Sequence, residues 1–140
     1  MDAHGFQARL GLPVFTSRAV VEKVRAIVEV EGTLEELPKD PALRWEPLAG
    51  TKFGEAAYVV RTGPRASLIV CDAIVNARPG GGFAGLVFRL LGFSGSEPKM
   101  SGGYKLRAVS DKAALKRDLL RLADTPGLVR MVPSHGEVVT

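Results

Sequence analysis

At 140 residues, 46% hydrophobic and with a formal net charge of +4, the chain can build one globular domain around a core of its own. No apolar run approaches the ~20 residues that cross a bilayer, and the start MDAHGFQARLG lacks the basic-then-apolar pattern of a signal peptide, so a membrane is not an expected partner. Scattered cations and only 6% aromatics argue against nucleic acid, and Cys71, the only cysteine, excludes an intrachain disulfide, as expected of a cytoplasmic protein.

The first forty residues read as short elements. His4 to Leu10 has the pattern of a short helix and Leu12 to Thr16 that of a brief strand. Ser17 can cap a helix running to Val24, since its hydroxyl can accept a free backbone N–H of the first turn. Ile27 to Val30 alternates with charged residues as a half-buried strand does. The polar segment EGTLEELPKDP, broken by two prolines and Gly32, reads as a connection. Leu43 to Leu48, with Leu43 and Trp45 on one face, reads as a strand ending at Ala49-Gly50.

The middle of the chain is β-rich. Phe53 to Arg61 and Ala66 to Ala73 read as two strands joined by Thr62-Gly63-Pro64-Arg65, a turn short enough to make them an antiparallel hairpin. The second strand is apolar on both faces, which places it inside its sheet. Arg78 to Gly82 reads as a flexible loop. Phe83 to Leu91 carries apolar residues at 83, 86, 87, 90 and 91, a helical stripe that Gly92 would stop. Phe93 to Gly103 is Gly/Ser-rich with no periodicity. Asp111 to Ala123, with Ser110 at the cap position and a stripe of Leu115, Leu119 and Leu122, is the clearest helix. Thr125-Pro126-Gly127 ends it and leads into a last strand, Leu128 to Val132. With no repeat and no linker, residues 1–140 read as one α/β domain.

Two stretches carry chemistry. SLIVCDAIVN (Ser67 to Asn76) and VRMVPSHGEV (Val129 to Val138) each run an apolar, β-branched strand into a metal-capable side chain, Asp72 in one and His135 in the other. Rigid strands hold such groups in fixed positions, as hydrolytic sites require. Each also has a plainer reading. An aspartate at a strand end can cap the following turn by accepting backbone N–H groups, and a histidine before Gly136 can be a turn residue with a satisfied ring. Cys71, in an apolar run beside an acidic neighbour, reads as an inert buried thiol. Gly80-Gly81-Gly82 lacks the Gly-Lys-Ser/Thr ending of a phosphate loop. The stripe from Phe83 to Leu91 reads as core.

From Leu48 to Val138 the chain resembles the second half of a metallo-β-lactamase-fold protein, in a divergent branch of that superfamily. PLAGTKFGEAAYVV resembles the turn of the third motif entering a strand. SLIVCDAIVN resembles the strand that ends in the metal-bridging aspartate, SDKAALKRDLLRLAD the helix before the last strand, and PSHGEVV the closing strand with its histidine. The resemblance implies an α/β (α+β) fold: a partial αββα sandwich with a mixed, mostly antiparallel sheet and flanking helices, lacking the N-terminal half. It implies Asp72 and His135 as metal ligands for zinc, iron or manganese. His4 and Asp2 would be remnants of the family's His-x-His-x-Asp-His cluster, and Thr51 stands near the position of a further ligand histidine.

A catalytic zinc takes three protein ligands and an open position for water, so the chain is expected to carry a degenerate metal site. The function expected is that of a non-catalytic structural or small-molecule-binding domain. Half a sandwich leaves an apolar face that a second copy would cover, so a homodimer is expected. The alternative is a metal-dependent hydrolase whose site is completed by the N-terminus or a second subunit. A third reading is that a longer product carries the missing cluster upstream of Met1.

Overall fold

The computed structural model describes residues 3–77, 81–90 and 97–140. The chain divides into two units, Met1–Lys39 and Asp40–Thr140. In the first, helix α1 (Ala3–Leu10) precedes strand β1 (Phe15–Thr16), which pairs in parallel with β2 (Gly32–Thr33). Between them lies α2 (Val21–Arg25), capped at Val20 without a side-chain bond. Ser17 is therefore not its cap: its carbonyl accepts the Val20 N–H at 3.1 Å, and this extra turn moves the helix start along the chain. Nor is Ile27 to Val30 a strand. The N–H groups of Ile27 and Val28 both bond back to the Val24 carbonyl, which leaves no ladder to form, and pairing shifts to Gly32–Thr33.

The second unit is built on a four-stranded mixed sheet of β3 (Leu43–Pro47), β4 (Ala56–Thr62), β5 (Arg65–Val70) and β6 (Leu128–Pro133), in that spatial order. The β3–β4 and β4–β5 pairs are antiparallel, and β5–β6 is parallel. Gly63 and Pro64 form the hairpin turn between the paired Thr62 and Arg65. β5 lies inside the sheet, as its two apolar faces require. A parallel pair needs a long crossover, and this one carries α3 (Gly82–Leu90), α4 (Gly102–Arg107) and α5 (Lys112–Ala123).

One sheet face holds the core. Val59, Leu68 and Val70 pack with Leu115 and Leu122 of α5. Leu122 and Val70 are wholly buried, and a leucine buried this way contributes about 2 kcal/mol of hydrophobic stabilisation. Strand alternation and register put Leu43, Trp45, Tyr58, Val60, Ile69 and Val132 on the other face, each half-buried. α5 is capped by Asp111 and not by Ser110: its Oδ1 accepts from Ala113 N and Ala114 N at 2.9 and 3.0 Å. These are donors the first helical turn leaves free.

α4 takes its first two residues, Gly102 and Gly103, from the Gly/Ser-rich stretch Phe93 to Gly103, where the lack of periodicity predicts a loop. Its cap, Ser101, accepts the Tyr104 N–H at 3.1 Å and compensates the poor helix propensity of Gly102 and Gly103. α3 is a helix, as its periodicity predicts, but its stripe is not core. Phe83 and Leu90 are 81% and 80% exposed, and Leu86 and Val87 also face out. The core on the α5 side of the sheet is closed by α5 leucines and takes no described side chain from α3. Leu91, Gly92 and Gly80 lie outside the described residues.

Candidate functional site

Because β5 and β6 are parallel neighbours, the two chemistry-bearing strand ends emerge at the same edge. Val70 pairs with Pro133, and two residues further along each strand stand Asp72 and His135. The loops beyond are stitched together. Ser134 N bonds Val70 O, Asn76 N bonds His135 O, and Glu137 N bonds Asn76 O, each at 3.0 Å. The Asn76 amide adds a 2.8 Å bond to the Glu137 carbonyl. Gly136 makes this approach feasible: its φ is +101°, and a Cβ there would lie 2.0 Å from Asn76 O.

This framework sets Asp72 Oδ1 3.2 Å from His135 Nε2. Ser134 Oγ donates to the same carboxylate oxygen at 3.2 Å. Among the described residues no backbone N–H donates to Asp72, so it does not cap its turn. That task falls to Glu55, whose Oε1 accepts the N–H of the wholly buried Ala73 at 2.9 Å. Asp72 and His135 are both 66% exposed in their side chains, so the pair contributes little to stability.

Glu55 is the site's unannounced member. Its Oε2 accepts a hydrogen bond from the Tyr104 hydroxyl of α4. Thr51 positions it: the Thr51 hydroxyl donates to Leu48 O at 2.9 Å and accepts the Glu55 N–H at 3.3 Å. Thr51 also bridges to Val109 and so ties this turn to the end of α4. Burial, with the Glu55 hydrogen bond and charge behind it, pushes the Tyr104 hydroxyl far above the usual phenol range. Burial also raises the Cys71 thiol, and the carboxylates of Glu55 and Asp72 add to the effect. At neutral pH Cys71 is a protonated thiol, unsuited to nucleophilic attack.

These groups line a cleft of about 440 Å³, within the usual range for small-molecule sites. Glu55 and Asp72 supply acceptors, Arg107 and His135 supply donors, and Phe53, Val75 and Ala108 form apolar wall. Glu55, Tyr104 and Arg107 were not found from sequence. Glu55 stands among alternating strand residues and Tyr104 in a glycine-rich segment, and nothing local announces that they meet across 49 positions.

The metal implied by the family resemblance can be tested against these donors. At 3.2 Å, Asp72 Oδ1 and His135 Nε2 could share one ion: with bonds of about 2.1 Å the angle at the metal would be about 100°. Among the described residues, however, no group of three or more His, Cys, Asp or Glu side chains could hold a metal ion. A catalytic zinc centre takes three protein ligands, so the described donor set does not fit one. His4 lies on α1 in the first unit, beside Gln7, Glu29 and Glu31 around a separate hollow. Asp2 lies outside the described residues.

No protein-family model matches the chain, and the search of curated proteins found no match. Among the described residues no helix is long and apolar enough to cross a membrane.

Proposed function

We propose that the chain is a metallo-β-lactamase-like domain, resembling the second half of that fold, which binds a small polar molecule in the Asp72–His135 cleft without a catalytic metal. The observation that carries this reading is how the cleft's carboxylates are engaged. Glu55 serves Ala73 and Tyr104, and Asp72 serves Ser134 and His135. The remaining polar edges and the apolar wall suit an uncharged ligand with a polar head, held by Asp72 and His135 and flanked by Arg107. A homodimer is part of the proposal, supported by the exposed apolar face of α3 and the half-buried second face of the sheet.

The second reading is a metal-dependent hydrolase, favoured by the 3.2 Å separation of Asp72 and His135. It would draw its further ligands from Asp2, His4 or a second subunit. Equilibrium dialysis of the purified full chain against micromolar zinc separates the two. Substoichiometric zinc, unchanged in Asp72→Ala and His135→Ala, is expected of the binding protein. One equivalent per chain, lost in both variants, would overturn it in favour of the hydrolase. An amide NMR screen of uncharged polar fragments should give shifts clustered at Asp72, Tyr104 and His135. Light scattering during size exclusion should return twice the 14.9 kDa chain mass. A concentration-independent monomer would remove the dimer.

A further inference from the structure

α4 separates the Asp72–His135 cleft from a second concavity. On one side it presents Tyr104 and Arg107 to the cleft, and on the other Lys105 joins α5 in lining a groove of about 480 Å³. The groove has two chemically distinct parts. Lys105, Lys112 and Lys116 form a cationic rim, while Met100, Val109, Leu115, Leu119 and Leu120 are apolar.

Among the described residues none of the three lysines makes a salt bridge. The two acidic residues nearest them in sequence are already engaged: Asp111 caps α5, while Asp118 accepts the Ala49 N–H at 2.8 Å and pairs with Arg121. Among the described residues no carboxylate lines the groove. Three cations gathered at an apolar groove, with no salt bridge to them among the described residues, call for an anion from outside.

The order along α5 narrows the ligand's shape. Lys112 and Lys116 are one turn apart, and Leu119 and Leu120 follow toward the C-terminal end. The groove therefore runs from a charged end to a greasy one over about 12 Å, eight residues at the helical rise. A free inorganic anion would leave the leucines unused. An acidic amphipathic helix would want cations spread along its length, whereas here they are gathered at one end.

We propose that the groove between α4 and α5 binds a single-chain anionic amphiphile. Its head group sits among Lys105, Lys112 and Lys116, and a medium-length hydrocarbon chain lies along Leu115, Leu119 and Leu120. Because Leu120 is 55% exposed, the chain is buried on one side only. Each added methylene should then tighten binding about twofold, less than full burial would give.

Decanoate below its micelle concentration is the probe, titrated into the full-length protein and followed by amide NMR. Saturable one-to-one binding is expected, with shifts confined to Met100–Leu120. It should weaken about tenfold or more in Lys112→Glu/Lys116→Glu, whose exposed positions leave the fold intact by circular dichroism. Hexanoate, four methylenes shorter, should bind about sixteenfold more weakly than decanoate, and decyltrimethylammonium should not bind. Leu120→Gln, which keeps the lysines and adds no charge beside them, should weaken decanoate but leave hexanoate little changed.

Absence of saturable shifts at the groove would overturn the proposal. So would equal affinity for the cationic amphiphile or undiminished binding in the double lysine variant. Groove shifts that appear on raising protein concentration alone, and that decanoate does not displace, would assign the surface to a second copy instead.

Discussion

Glu55 tests whether the cleft is a rigid, hydrogen-bonded structure or a loose surface. Its carboxylate takes two donors, the N–H of Ala73 at 2.9 Å and the hydroxyl of Tyr104. Ala73 is wholly buried, so Glu55→Ala would leave a buried backbone donor without its acceptor, at a cost of about 1–3 kcal/mol. The lost phenol bond adds about 1 kcal/mol, for a total of about 2–4 kcal/mol. Glu55→Gln keeps a carbonyl for Ala73 and an amide that can meet the Tyr104 oxygen, so it should cost about 1 kcal/mol or less. Trp45, the only tryptophan, lies on β3 of the same sheet and reports on this unit's unfolding. In urea followed by its fluorescence, the alanine variant should unfold about 1–2 M earlier with unchanged slope. An alanine variant within about 0.5 kcal/mol of wild type, or a glutamine variant as weak as the alanine one, would refute the assignment of Glu55 as the acceptor that holds the Asp72 turn.

Two further perturbations follow from the same geometry. The Tyr104 hydroxyl is held protonated by burial first and then by Glu55, so its folded pKa lies above its unfolded value of 10.0. Above pH 10 the unfolded chain gives up that proton while the folded chain keeps it, and stability falls by up to about 1.4 kcal/mol per pH unit, less with solvent screening. Tyr104→Phe removes this loss, so its urea stability should fall less steeply than wild type between pH 10 and 11; parallel profiles would contradict the shift. Gly127 and Gly63 both have positive φ, but a Cβ at Gly127 would lie 2.1 Å from Pro64 O while one at Gly63 meets open space. Gly127→Ala should therefore cost about 2–4 kcal/mol and Gly63→Ala about 1 kcal/mol by thermal unfolding, and equal costs would show that the Gly127–Pro64 approach relaxes.

What could be read before folding was local. The Gly63-Pro64 turn, the two apolar faces of β5 and the leucine stripe of α5 are written within a few residues of one another, and each element formed close to where its pattern put it. Asp72 and His135 were visible for the same reason, each at the end of its own strand. That the two strands are parallel neighbours was not visible, because the pairing of Val70 with Pro133 spans the whole crossover. The Glu55–Tyr104 bond, the Thr51–Val109 bridge and the Asn76–His135 contact are likewise long-range and leave no local mark. Ser17 and Ser110 were poor guides to the helix starts for a different reason. Several residues near a helix start can act as cap, and the backbone conformation selects one. At α5 it selected Asp111, one residue on, and at α2 the non-capping Val20.

The helices make the sharper point about what periodicity conveys. α3 and α5 are both amphipathic in sequence, yet α5 buries Leu115 and Leu122 in the core while α3 leaves Phe83 and Leu90 exposed. An apolar stripe states that a helix has a greasy face; it does not say what that face meets. Position in the chain decides here. α5 leads through the tight Gly127 turn into β6, so it must lie along the sheet that β6 joins. α3 sits mid-crossover, between segments that lie outside the described residues. The same constraint turns the flank of α5 outward, with Leu119 half-buried and Leu120 exposed beside Lys112 and Lys116. One helix thereby closes the core with one set of leucines and offers a lysine-rimmed apolar groove with the next, so the amphiphile-binding surface is a consequence of how α5 is anchored.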